Sequence, residues 1–412
     1  MKKINRLEWA LMAALAWAVA SGCKPAEALR PDPNLVKLQI LEGRAGKGDL
    51  EAQLQLSIAL ADATTVTNHG AESIKWLQRA ADGGHPPALF LIAKKLEAGE
   101  GIPSNPEQAA AFLLKGAEKG DAACARALGS MYRRGLGVSH DLSEAAKWIR
   151  AAAEKNDAIA QYDLGTLYQR GEGLPQDVVE AMTWFRKASG QGHPEASFAL
   201  GEALLKGDGV DVNLEEAAKV LRSAAEQGIV GAQFRLASLF DQGKGVSTDY
   251  QQAATLYKKA ADQGHVEAQS GMGLAYINGH GVAQDYAEAA KWLRKAAEKG
   301  EMEAQFRMGQ LHASGQGLPQ NYEEAMSWYR KAAEKNHPGA QFGLASLYLS
   351  GQNGGVADPV EASKWLDLAA QSGDTNAATV RKFAAQLLTP EQEAEVTKRK
   401  HEFLSNKKSE IK

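Results

Sequence analysis

At 412 residues the chain is longer than one hydrophobic core ordinarily grows, so it holds either several domains or an extended array. Its 44% hydrophobic and 24% charged residues are ordinary values for a soluble protein and exclude neither an enzyme nor a scaffold. A formal charge of −3 without general clustering of Lys and Arg lacks the basic footprint that nucleic-acid binding needs.

The amino terminus carries Lys2, Lys3 and Arg6, then an apolar run over 9–20, then Ala20-Ser21-Gly22-Cys23. This is the layout of a secretory signal peptide over 1–22, with an apolar run too short to span a membrane as a helix. The small residues before Cys23 resemble the lipobox of bacterial lipoproteins, which implies cleavage before Cys23 and lipidation of its thiol. Ala20 stands where a lipobox usually has Leu, and Glu8 is an unusual acid beside the basic region. Ordinary cleavage to a soluble periplasmic or secreted protein is therefore the alternative. By the same resemblance, Lys24 after the cysteine implies an outer-membrane lipoprotein facing the periplasm. The remaining cysteine, Cys124, leaves no disulfide framework, so the fold must stand on packing. Residues 23–33, with Pro25, Pro31 and Pro33, read as the lipidated cysteine and a semi-extended spacer.

Residues 34–48 read as an N-terminal capping helix. Beyond them Gly99, Gly135, Gly171, Gly207, Gly243, Gly279, Gly315 and Gly351 each open a G-x-G or G-x-N-G turn, 36 residues apart (135 − 99 and onward). Such a period signals a helical solenoid, so the fold class is all-α, built from helix-turn-helix repeats. Nine repeats fill 49–373, the first at 49–84 and the last, one residue longer, at 337–373. In the repeat at 265–300 the spacing predicts helices over about 266–277 and 286–299. The first repeat departs from the pattern over 64–68, as terminal repeats do.

Comparing the repeats with one another separates architecture from variation. Ala52, Ala88, Ala160, Ala196, Ala232, Ala268, Ala304 and Ala340 share a register in which Cys124 also stands, so Cys124 reads as a buried small residue. Gly129, Gly165, Gly201, Gly273 and Gly309 follow one turn later, where close helix packing must offset a cost of about 1 kcal/mol relative to Ala. Trp76, Phe112, Trp148, Trp184, Trp292, Trp328 and Trp365 fill one large slot of the second helix. Asp or Asn at 105, 141, 177, 213, 249, 285, 321 and 358, with Glu or Gln three residues on, has capping-box spacing. It predicts a side-chain oxygen capping each second helix and a Glu or Gln reaching back to the cap amide.

The consensus A-x-x-x-L-G-x-x-Y, G-x-G-V, D-x-x-E-A-A-K-W-L-R-K-A-A-E-x-G resembles the SEL-one-like repeat family, relatives of tetratricopeptide repeats. The resemblance implies a right-handed superhelical solenoid whose concave face, lined by first helices, binds a peptide or partner protein, with no cofactor and no small-molecule substrate. It also implies a narrower alternative, an assembly factor for an envelope or polysaccharide-export complex. Residues 374–404 read as C-terminal capping helices and 405–412 as a charged tail.

Two chemical readings compete with a scaffold. His85, His193, His265 and His337 share a register, but neighbouring copies in a stack stand roughly 10 Å or more apart, beyond joint metal ligation, so no metal site is expected. Some relatives are described as β-lactamase-like, and S-x-x-K occurs at Ser21–Lys24, Ser405–Lys408 and Ser409–Lys412. No S-D-N or K-T-G accompanies it, so no catalytic residue is assigned and a cell-wall-active hydrolase stands as the rival function. The candidate partner-binding residues are Arg134, Arg170 and Lys206, in one register of three consecutive repeats, with Arg133 beside the first. Such a basic column would attract an anionic partner.

Overall fold

The computed structural model describes residues 33–62, 69–352 and 355–410, so the signal segment, Cys23, most of the spacer and the irregular loop at 64–68 lie outside the described residues. The described residues form α-helices joined by short turns, in two compact parts, Met1–His193 and Pro194–Lys412. The N-terminal part runs α1 (Pro33–Ala45), α2 (Leu50–Asp62), α3 (His69–Asp82), α4 (Pro86–Ala98), α5 (Pro106–Glu118), α6 (Ala122–Arg134), α7 (Leu142–Glu154), α8 (Ala158–Arg170) and α9 (Val178–Gly190). The C-terminal part runs α10 (Pro194–Lys206), α11 (Leu214–Glu226), α12 (Val230–Gln242), α13 (Tyr250–Asp262), α14 (Val266–Asn278), α15 (Tyr286–Glu298), α16 (Met302–Ser314), α17 (Tyr322–Glu334), α18 (Pro338–Leu349), α19 (Pro359–Gln371), α20 (Thr375–Ala385) and α21 (Pro390–Glu410). Even-numbered helices from α2 to α18 are the first helices of the repeats. Lone α1 packs Leu41 and Ala45 onto Ala52, Leu56 and Leu60, covering the face a preceding repeat would cover.

Small residues set the helix spacing within a repeat. Ala52, Ala88, Ala160 and Ala268 are fully buried. A Cβ on Gly129 would stand 2.9 Å from the Ala145 carbonyl oxygen and 2.7 Å from Ile149. Cys124 is fully buried in the alanine register, and Gly116 opposite it would bring a Cβ within 2.4 Å of the Sγ. Other repeats have Ala in the Gly116 position, so the larger thiol is matched by a smaller neighbour. Burial pushes the Cys124 thiol well above its ordinary value, which keeps it protonated and inert.

The cap residues accept as predicted: Asp141 Oδ1 from Ser143 and Glu144 N–H, Asp285 from Ala287 and Glu288, Asn321 from Glu324. The reciprocal half of the box is corrected by the structure. The cap amide donates instead to a carbonyl near the end of the first helix, Asp141 to Tyr132 (3.1 Å), Asp285 to Tyr276 (3.0 Å) and Asn321 to His312 (2.9 Å). This bond closes the helix hairpin and leaves the box glutamates to other partners. Glu180 and Glu361 accept from the indole N–H of Trp184 and Trp365 (2.9 and 3.0 Å). At Thr389 the box is reciprocal, with Thr389 N–H donating to Gln392 (2.9 Å) and Gln392 N–H to Thr389 Oγ1 (3.3 Å).

The charged C-terminal segment begins as helix. Residues 405–410 continue α21, and Lys407 Nζ donates to Glu334 O (2.6 Å) and Asn336 Oδ1 (2.7 Å), satisfying the open carbonyl end of α17. Trp365 packs edge-on to Phe403, and Arg381 bridges Asp367 and Glu393, so α21 is fastened along the last repeat.

Candidate functional site

The predicted cations sit at the C-terminal ends of first helices, where positive charge complements the helix dipole. In the N-terminal part, Arg134 of α6 donates from Nη1 to Glu97 Oε1 of α4 at 2.8 Å, and Arg170 of α8 lies 3.5 Å from Glu172 in its own turn. Half-buried Arg133 acts inward: burial pushes the Asp163 carboxyl above its ordinary range, with Arg133 and Arg126 opposing. In the C-terminal part, Lys206 of α10 lies 3.1 Å from Glu202, which also takes Arg235 Nε of α12 at 2.6 Å. Arg134, Arg170 and Lys206 thus each carry an acid partner. Glu97, Glu172 and Glu202 occupy three different repeat positions, so reading one register at a time misses them. The side chains of Arg134, Arg170 and Lys206 are still 55%, 65% and 63% exposed. Pairs this exposed contribute about 0–1 kcal/mol each, so a partner's carboxylates can take the place of the resident ones at little cost.

The histidines link successive repeats. His265 and His337 cap their own helices, Nδ1 accepting from Ala268 N–H (3.3 Å) and Ala340 N–H (3.1 Å). Their rings stack on Phe234 and Phe306 of the preceding first helices, at centroid distances of 4.8 and 4.5 Å. With Nδ1 accepting, Nε2–H of His337 donates to Glu303 at 3.0 Å, and this bond, joined by Arg307, holds the Glu303 carboxyl below its ordinary range despite partial burial. His193 stacks on Tyr162 in the same way at 4.8 Å. Tyr162, Phe234 and Phe306 stand two repeats apart, and each also meets an aromatic ring of its own second helix (Phe185, Tyr257, Tyr329). This three-ring stack recurs in the fourth, sixth and eighth repeats, although Phe198 and Phe342 stand in the same first-helix register of the fifth and ninth.

The Sel1 repeat model matches nine consecutive segments, 51–85, 86–121, 122–157, 158–193, 194–229, 230–265, 266–301, 303–337 and 338–374. The chain belongs to the Sel1 repeat family. Among solved structures it is similar to c5321 of uropathogenic Escherichia coli, described as a protective antigen displaying an SLR fold. The two are 28% identical over 89% of this chain and 94% of that one, with a TM-score of 0.68. It is also similar to a Sel1 repeat protein from Oxalobacter formigenes, 28% identical over 84% of this chain and 95% of that one, with a TM-score of 0.52. Comparison with curated protein sequences gives no match. Sel1 repeats form a non-enzymatic scaffold fold, and proteins built from them generally hold protein partners.

Two sets of hydrogen bonds that sequence comparison passed over tie several of the Sel1 repeats to the element before them. Buried Gln53, Gln161, Gln233, Gln269, Gln305 and Gln341 donate from Nε2 to the carbonyl eight residues back, at 3.1–3.3 Å, capping the end of the preceding second helix. Tyr168 and Tyr348 near the ends of first helices take Arg150 and Arg330 Nη2 from the preceding second helices, both at 2.6 Å. The Gln run was visible in the repeats, as the residue after the alanine register.

Proposed function

We propose that this chain is a non-enzymatic adaptor of the bacterial cell envelope, tethered through lipidated Cys23, whose first-helix face holds an acidic segment of a partner protein. The observation that carries the reading is the pair of exposed cations of the N-terminal part, Arg134 and Arg170, held by solvent-facing ion pairs that a ligand can displace; Lys206 is an exposed, ion-paired cation of the C-terminal part. Half-buried Arg133 supports the Asp163 side of this face rather than contacting the partner first. The family's role as a protein-binding scaffold supports this reading over a hydrolase.

Two tests follow. Replacing Arg134 and Arg170 of the N-terminal part together by Glu is expected to reduce capture of the native partner about tenfold while the circular dichroism spectrum stays unchanged, with Lys206→Glu in the C-terminal part tested separately. An unchanged set of crosslinked partners, identified by mass spectrometry, would remove the basic face from consideration. For the anchor, Cys23→Ser is expected to move the protein from the membrane to the soluble fraction, because the several acyl chains on the cysteine supply the membrane affinity and a single chain would be marginal. Retention of the variant in the membrane fraction would argue for an uncleaved anchor instead.

A further inference from the structure

The aromatic slot of the second helix is empty of its ring in two repeats, where Val220 and Leu256 stand in place of Trp. The eighth repeat shows what the slot normally holds. Trp328, 6% exposed, packs in one cluster with Ala297 and Met308, and Lys331, one turn further along α17, lies 4.0 Å from the ring centroid. The same cation lies over the ring in other repeats: Lys187 on Trp184 at 3.7 Å and Lys295 on Trp292 at 4.1 Å.

In the sixth repeat the slot is an open groove of about 280 Å³ between α11, α12 and α13. Ala225 and Leu236 line it where Ala297 and Met308 line the Trp328 slot, and Lys259 stands at the position of Lys331. Leu256, smaller than the Trp it replaces, lines the groove together with the charged Arg222 and Glu226. The groove therefore keeps the apolar floor and the cation of a tryptophan site without its tryptophan.

We propose that this groove receives an aromatic side chain, tryptophan foremost, from a partner polypeptide. The volume suits one ring, since pockets for drug-sized ligands begin at about 300 Å³. Buried Trp anchors of this kind carry a large share of binding energy at protein interfaces. Lys259 stacks on the incoming ring as Lys331 stacks on Trp328. The site uses none of the cations of the first-helix face, so it stands or falls apart from the function proposed above.

The test uses the full chain with labelled leucine methyl groups and N-acetyl-tryptophanamide as the probe. Ring-current shifts are expected at the Leu236 and Leu256 methyls and much smaller ones with N-acetyl-leucinamide. Lys259→Ala should weaken the tryptophan probe by about threefold or more. Leu256→Trp, which the Trp328 site shows the fold can hold, should abolish the shift at Leu236 on titration because the slot is then filled from within. Absence of probe-induced shifts in the unmodified protein, equal response to the leucine probe, an unchanged affinity in Lys259→Ala, or undiminished binding to Leu256→Trp would each overturn the proposal.

Discussion

Gly281→Ala is expected to destabilise the C-terminal part by about 4 kcal/mol or more, while Gly279→Ala two residues earlier costs only about 1–2 kcal/mol. Both glycines have positive φ, +71° at Gly279 and +70° at Gly281, so the conformational penalty is the same. Their surroundings differ. A Cβ at 279 meets nothing closer than 3.6 Å, whereas at 281 it would lie 2.0 Å from the Tyr250 carbonyl oxygen and 2.8 Å from the Gln251 nitrogen. Those atoms are the backbone of the first turn of α13 in the preceding repeat and cannot rotate away. The second glycine of the turn is therefore a contact between repeats, and each repeat in a solenoid depends on its neighbours for stability. The N-terminal part repeats the arrangement, with a Cβ at Gly173 falling 2.0 Å from the Leu142 carbonyl oxygen and one at Gly171 no closer than 3.2 Å to its nearest neighbour, Gln176. Urea unfolding of the four alanine variants measures the difference. Equal losses at the first and second glycines would show that backbone conformation alone explains the motif.

The distinction marks how far the sequence could be read. Period, helix order and the Asp or Asn caps were legible because each depends on residues a few positions apart and recurs in every copy. The two roles of the G-x-G glycines were not, because the second role is set by a backbone contact to the previous repeat. The cap amide was misassigned for a similar reason: Asp285 N–H is claimed by Tyr276 O across the turn, a main-chain bond that no side-chain pattern announces. At the candidate site the sequence located Arg134, Arg170 and Lys206 but treated a register as a column of like charge. Glu97 and Glu202 pair with them from other positions of the helices, and only the folded geometry brings opposite charges together.

His312→Tyr is expected to stabilise the C-terminal part by about 1–3 kcal/mol at pH 7, and by more at pH 5. His312 is 7% exposed, and neither ring nitrogen has a hydrogen-bond partner. It occupies the first-helix position where Tyr168 and Tyr348 hold Arg150 and Arg330, and the corresponding arginine here is Arg294. A tyrosine would remove two unsatisfied buried atoms and offer Arg294 the hydroxyl its counterparts use. The pH dependence follows from burial, which pushes the imidazole below its ordinary value, with Glu324 opposing and Arg294 adding to the shift. The folded state then binds fewer protons at this site than the unfolded chain does. The contribution to stability is fully present above the unfolded value of 6.5 and is lost as pH falls through the folded one. His265, also lowered by burial, acts in the same direction over this range, so a residual acid slope remains in the variant, whereas Glu303, lowered from 4.5 chiefly by His337, loses its contribution only at more acid pH. Thermal unfolding of the native protein and of His312→Tyr between pH 7 and pH 5 should give curves that diverge toward acid, with His312→Phe intermediate because it lacks the hydroxyl for Arg294. Parallel curves would place the acid sensitivity outside His312, and a less stable His312→Tyr would mean that the slot, although it accepts tyrosine in other repeats, is shaped here for the smaller ring.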